Sequence, residues 1–143
     1  MIKGMHHTGF VVKDLEAAVE FYRDAVGLEV QRSYERTGAP IGQVVGYQNA
    51  HLKIALMGAG ADHTLELIQY LSPPPGERPT EERAVLGGNH LCFHVDDIDA
   101  AYKTLVKGGA TVLNPPAEVA PGRKACYMQD PDRNWIELLE TAE

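Results

Sequence analysis

A stretch of this chain recurs 83 residues later, and a repeat of that length restricts the fold to two copies of one supersecondary unit. His7-Thr8-Gly9-Phe10-Val11-Val12-Lys13-Asp14-Leu15 aligns with His90-Leu91-Cys92-Phe93-His94-Val95-Asp96-Asp97-Ile98, with His, Phe, Val and Asp coinciding. The apolar stripe Leu15, Ala18, Val19 and Tyr22 returns as Ile98, Ala101, Tyr102 and Leu105 at the same offset. Its i, i+3, i+4, i+7 spacing predicts an amphipathic helix in each copy. Asp14 and Asp97 stand where a carboxylate caps the free N–H groups of a helix, and Gly27 and Gly109 where a left-handed residue ends one.

After each helix the pattern shortens to β-type runs. In the first half they fall at 28–34, 43–47, 52–56 and 65–70, with a turn at Gly58-Ala59-Gly60-Ala61-Asp62. A phosphate loop needs a helix directly after its glycines, and a strand is expected here instead. In the second half the runs are 110–113, 124–129 and 135–139, with a final turn at Asp130-Pro131-Asp132-Arg133-Asn134. Each half therefore reads as strand, helix, then several strands. The expected organisation is a single domain with module one at 1–71, a linker at 72–88 and module two at 89–143. The linker opens on a stiff proline run and continues through a charged stretch with helical character.

The chemistry sits at the two ends of each module. Each begins with a strand carrying a histidine, His7 or His90, and ends with a strand carrying a glutamate between apolar residues, Glu66 or Glu137. A carboxylate in a half-buried strand is costly unless it is paired or bound to a cation. Two such carboxylates at equivalent positions, matched by two equivalent histidines, suit a first-row divalent ion with two positions left open. Buried ion pairs or solvent-facing strand residues are the alternative. No local metal motif is present, so the inference rests on the repeat.

The stretches HHTGFVVKDLEAAVEFY, NHLCFHVDDIDAAY and DPDRNWIELLE resemble the vicinal oxygen chelate (VOC) superfamily of glyoxalase-like and methylmalonyl-CoA epimerase-like proteins across essentially the whole chain. The resemblance implies an α+β fold of two βαβββ modules whose curled mixed sheets enclose a metal cavity. It assigns His7, Glu66, His90 and Glu137 as metal ligands, with one divalent ion per site drawn from Zn, Ni, Co, Mn or Fe. It also implies a homodimer. The 23 residues between Glu66 and His90 are enough for the ligand set to close within one chain. Where the family usually has glycine in the final turn this chain has Arg133, and Asn134 is expected to take up the left-handed conformation.

Other polar residues carry plainer readings beside functional ones. His6 alternates with His7 along a strand and so points to the opposite face. His94 shares the parity of His90 and is a candidate proton carrier near a strand end. Cys92 reads as a buried inert thiol rather than a reactive one. Trp135 reads as a pocket wall or as plain core. Arg123 and Lys124, beside Gly122, either grip an anionic substrate or are solvated surface charge.

Such a site suits metal-assisted proton transfer next to a carbonyl, as in isomerases, epimerases and lactoylglutathione lyase-like lyases acting on a small-molecule carbonyl substrate. Glu66 or Glu137 moves the proton, with Glu137 the first choice. The alternatives are an extradiol-type dioxygenase, in which Glu66 would fill a position that oxygen chemistry needs, and a metal-free small-molecule (antibiotic) binding protein. Thirteen Lys plus Arg against twenty Asp plus Glu give a net charge of −7 with no basic block, which disfavours nucleic-acid and anionic-membrane partners. Two cysteines without a CxxC spacing, and no apolar run of signal-peptide or membrane-spanning length, fit a cytoplasmic location.

Overall fold

The computed structural model describes residues 1–58, 60 and 63–142. It divides into two compact units, Met1–Arg23 with Gly27–Glu77, and Asp24–Val26 with Arg78–Glu143. The expected linker is thereby split, its first part belonging to the first unit and the part from Arg78 onward to the second.

The first unit opens with β1 (Thr8–Val11) and α1 (Leu15–Glu20), which continues in wider π-type turns through Phe21–Val26, the last three of these residues being counted with the second unit. Asp14 accepts from the Ala17 N–H at 2.9 Å, and Gly27 ends the helical run at φ 89°. Both are as the sequence pattern predicts. The wider turns let consecutive residues Phe21 and Tyr22 both be buried, edge to face. Strands β2 (Glu29–Thr37), β3 (His51–Gly58) and β4 (Thr64–Ser72) complete a four-stranded sheet in the order β1-β4-β3-β2. β1 runs parallel to β4 and the other pairs are antiparallel. Phe10, Val12, Met57, Leu65 and Leu67, all buried, line the face that receives α1 through Leu15 and Ala18. Glu66, Ile68 and Tyr70 alternate onto the opposite face.

One expectation in this unit fails. The run at 43–47 is not a strand but the end of helix α2 (Ala39–Val45) and its cap. Gly38 at φ 89°, Pro40 in the first turn and Gly46 at φ 78° bracket a helix, and Ile41, Val44 and Val45 follow helical spacing. Of the expected turn at 58–62, Ala59, Ala61 and Asp62 lie outside the described residues. Gly58 and Thr64 pair on either side of it.

The second unit repeats the plan with β5 (Leu91–His94), α3 (Ile98–Lys107), β6 (Thr111–Val112), β7 (Ala117–Ala120), β8 (Arg123–Gln129) and β9 (Trp135–Thr141). β5 runs parallel to β9, β9 and β8 are antiparallel, and both β6 and β7 pair with β8. The strand expected at 110–113 is thus reduced to two residues, and β7 is a strand the sequence reading lacked. Pro115 and Pro116 stand between β6 and β7 and have no N–H to give a ladder. Asp97 caps α3 through the Ala100 N–H at 2.9 Å, and Gly109 follows it at φ 107°. Residues 73–90 form no helix, contrary to the helical character expected of the linker. The later part is tied to its own unit instead, by Arg78 on Asn134 at 3.2 Å, Glu81 with Arg133 at 2.9 Å, and Arg83 over the Trp135 ring at 4.5 Å.

The fold is α+β with two mixed sheets, the βαβββ plan carrying an added helix, α2, in the first module and a fourth strand after the helix in the second. In the last turn Arg133, not Asn134, takes the left-handed conformation, at φ 68°. Asn134 is instead held by Asp130, which accepts from its N–H at 2.8 Å and from its side-chain amide at 3.0 Å. Those two bonds fix Asn134 in place and leave the positive φ to its neighbour.

Candidate functional site

Strand register explains why the two glutamates are equivalent. Gly9 on β1 faces Glu66 on β4, and Cys92 on β5 faces Glu137 on β9. Gly9 and Cys92 are partners in the repeat, and His7 and His90 each lie two residues before them, one residue ahead of β1 and β5, from where each histidine reaches its glutamate. His7 Nε2 lies 3.3 Å from Glu66 Oε1, and His90 Nε2 lies 3.1 Å from Glu137 Oε2. The carboxylates are the shielded members, with side chains 13% and 19% exposed against 38% and 41% for the histidines.

These distances and donor types fit a divalent ion. Two donors at right angles, each about 2.1 Å from one ion, are about 3 Å apart. The structure brings the four candidate residues together two by two. Among the described residues no group of three or more His, Cys, Asp and Glu side chains gathers to hold an ion.

The surroundings of the two pairs differ. In the second unit Tyr127 on β8 faces Glu137 across the ladder, and its hydroxyl lies 3.2 Å from His90 Nε2, the rings meeting edge to face at 4.9 Å. Burial, reinforced by the Glu137 charge, holds the Tyr127 phenol above its ordinary range. Burial first and Glu137 second push the Cys92 thiol up to about 11. Cys92 is exposed, which corrects the expectation that it is buried. Glu137 also opens onto a cavity of about 380 Å³ lined by Tyr127, Arg123, Ala125, Val119 and Leu139. In the first unit the matching positions are Gly9 and Leu56, so Glu66 meets no tyrosine or thiol there.

The remaining candidates separate in space. His6 and His7 precede β1, so strand alternation does not apply to them. His6 Nδ1 lies 2.8 Å from His7 Nδ1, and the expectation that it points away is corrected. His94 pairs with Thr141 at 2.8 Å at the end of its strand. Lys124 reaches Asp99 of α3 at 3.3 Å, on the helix face, whereas Arg123 alternates onto the Glu137 face. Trp135 is buried beneath Arg83, and its indole N–H has no hydrogen-bond partner among the described residues. Tyr127 was missed from sequence. Its one signal is its place on the strand before Glu137, which becomes legible only with the ladder register.

Known proteins share this architecture. The chain matches the Glyoxalase/Bleomycin resistance protein/Dioxygenase superfamily over residues 4–138. It is similar to a 2-epi-5-epi-valiolone epimerase from Actinomyces sp, at 31% identity over 94% of this chain and 78% of that protein. It is also similar to an ethylmalonyl-CoA/methylmalonyl-CoA epimerase from Cereibacter sphaeroides, at 30% identity over 94% of this chain and 93% of that one. A crystal structure of a glyoxalase family protein from Bacillus cereus superposes with a TM-score of 0.92 at 26% identity, covering 100% of this chain and 97% of the other. With the family match spanning both His–Glu pairs, the chain belongs to the Glyoxalase/Bleomycin resistance protein/Dioxygenase superfamily.

Proposed function

We propose that this protein is a metal-dependent isomerase, epimerase or lyase that moves a proton on a carbon next to a carbonyl. The observation that carries the reading is the recurrence of one His–Glu pair, at ligand spacing, in the same register of both sheets. Unlike the Glu16–Lys53 and Asp99–Lys124 ion pairs, which also recur, each of these pairs joins two side-chain types that both ligate first-row divalent ions. Bound by His7, Glu66, His90 and Glu137, a divalent ion (Zn, Ni, Co, Mn or Fe) would supply Lewis acidity toward the carbonyl oxygen.

The chain's own groups do the rest. Glu66 and Glu137 are the acid–base candidates, since each presents a shielded carboxylate on an otherwise apolar strand face. Tyr127 orients the His90 ring, its hydroxyl also lying 3.4 Å from Nδ1, the nitrogen left over when Nε2 faces an ion. Leu56 and Ile68 border Glu66 with apolar side chains, which limits water around a transferring proton. The two epimerase relatives favour epimerisation over the lyase reaction, with a cyclitol-type ketone or a branched acyl thioester as the first substrates to try.

Each chain carries two half-sets of ligands, and both sheets end in short strands with an unpaired side, β1 in one and β5 in the other. A homodimer is the proposed assembly, in which a second copy can complete the set. No helix among the described residues is long and apolar enough to cross a membrane.

The test is hydrogen exchange with solvent. Candidate ketones and acyl thioesters are incubated in deuterated water with metal-loaded protein, with and without chelator. A mass shift at the carbon next to the carbonyl, abolished by chelator, is expected. Exchange that ignores chelator, or oxygen-dependent turnover of a catechol, would overturn the mechanism.

A further inference from the structure

The outer strand of the first sheet carries a feature that the second sheet lacks. Arg32, Tyr34 and Arg36 alternate on one face of β2, and both guanidinium groups lie over the same ring, their central carbons 5.0 and 4.3 Å from its centroid. The register fixes which face this is. Arg32 faces Leu56, which faces Glu66; Tyr34 faces Ile54, which faces Ile68; and Arg36 faces Leu52, which faces Tyr70. The arginines therefore share the sheet face of Glu66, two strands away, or about 10 Å at ordinary strand spacing. Between them lies an apolar floor in which Leu52 and Ile54 are buried.

Among the described residues neither guanidinium has a carboxylate partner. Glu35, the acid between them in sequence, alternates to the other face and pairs with His51 at 2.8 Å, and Arg36 reaches only the Glu35 backbone carbonyl at 3.0 Å. Two like charges held over one ring repel each other, and in a chain of net charge −7 the absence of an acid beside them stands out. The stacking orients both planar forks, and apart from the Arg36 bond to the Glu35 carbonyl no hydrogen bond among the described residues takes up their N–H donors. Their combined charge of two matches a phosphate monoester, which carries about −1.5 to −2 at neutral pH, better than a single carboxylate.

We propose that Arg32 and Arg36 bind a phosphate group on the substrate, so that the protein acts on a phosphorylated carbonyl compound whose reacting carbon lies about 10 Å from the phosphorus. Tyr34 is the positioning residue that holds the two forks. The proposal rests on the proton-transfer reading of Glu66 for its distance, but the anion site is testable without that chemistry.

The experiment is calorimetric titration of the full-length, chelator-treated protein with inorganic phosphate and, in a second arm, with succinate. Saturable phosphate binding, tighter than that of succinate, is expected. The Arg32→Gln/Arg36→Gln double variant should bind at least about tenfold more weakly with an unchanged circular dichroism spectrum, and each single variant by a smaller factor. Lys103→Gln, which removes an exposed cation from the other module, should bind phosphate as the parent does. No saturable phosphate binding, undiminished binding by the single and double variants, preference for succinate, or equal weakening by Lys103→Gln would each overturn the proposal. Because these titrations need neither metal nor turnover, their failure leaves solvent exchange at Glu66 intact. Undiminished exchange in Glu66→Gln with phosphate binding preserved would fault the proton-transfer reading instead.

Discussion

In each module an acid in the first turn of the helix reaches a lysine on the neighbouring antiparallel strand: Glu16 meets Lys53 at 3.1 Å in the first, and Asp99 meets Lys124 at 3.3 Å in the second. In each, a side chain of the last strand also accepts from the helix's first N–H, Gln69 from Leu15 at 2.9 Å and Glu140 from Ile98 at 2.7 Å. The repetition extends to the His–Glu pair and stops there. Around Glu137 stand Tyr127 and Cys92, whereas around Glu66 stand Leu56 and Gly9, with an arginine pair two strands away. The contacts that seat a helix on a sheet and the residues proposed to hold an ion are kept twice. The residues that would meet a substrate are not. A substrate is not two-fold symmetric, so a site built from two equivalent halves gains specificity only where the halves differ.

The sharpest way to break the comparison is to neutralise each carboxylate in turn. Glu66→Gln and Glu137→Gln should each lower solvent exchange by at least about 100-fold, and by unequal amounts once metal occupancy is matched. Glu137, which opens onto the cavity, is expected to lose more. Equal losses would show that the different surroundings do not divide the roles. Exchange followed by mass spectrometry on metal-reconstituted variants reads the difference.

Tyr127→Phe tests the difference more gently. Removing the hydroxyl that contacts His90 should weaken metal binding by about tenfold in a competition titration, with the fold unchanged by circular dichroism. A variant that binds metal as tightly as the parent would mean that the tyrosine only fills space.

The smallest effect probes the shared skeleton. Asp14→Ala and Asp97→Ala each remove one cap bond, and each should cost about 1 kcal/mol of stability in urea unfolding. Losses that agree to within about 0.5 kcal/mol sharpen the claim that the modules are equivalent at this level. A large difference would confine the equivalence to the backbone.

The parts of this design that repeat were legible in the sequence, because repetition supplies an internal control. His7 with His90, Glu66 with Glu137 and Asp14 with Asp97 identify one another without any knowledge of the fold. What does not repeat was misread. Val44 and Val45 look like strand residues until Gly38, Pro40 and Gly46 are weighed as the start and stop of a helix. β7 follows a proline pair that hides it. The charged linker lies along its own unit as extended chain because Arg78, Glu81 and Arg83 find partners on Asn134, Arg133 and Trp135, contacts between segments more than 45 residues apart. Tyr127 and the stacked arginines of β2 needed strand register, which alternation within one strand does not reveal. The left-handed turn residue was assigned one position too late because the Asp130 bonds to Asn134 are invisible to propensity.

The central claim is that the two His–Glu pairs serve a single ion. Elemental analysis combined with competition titration of the zinc-reconstituted parent, His7→Ala and His90→Ala proteins tests it most directly. The account predicts about one ion per chain in the parent, and affinity at least about tenfold weaker in each variant, although the two substitutions lie in different modules. Two ions per chain in the parent, or full occupancy and affinity in either variant, would contradict it.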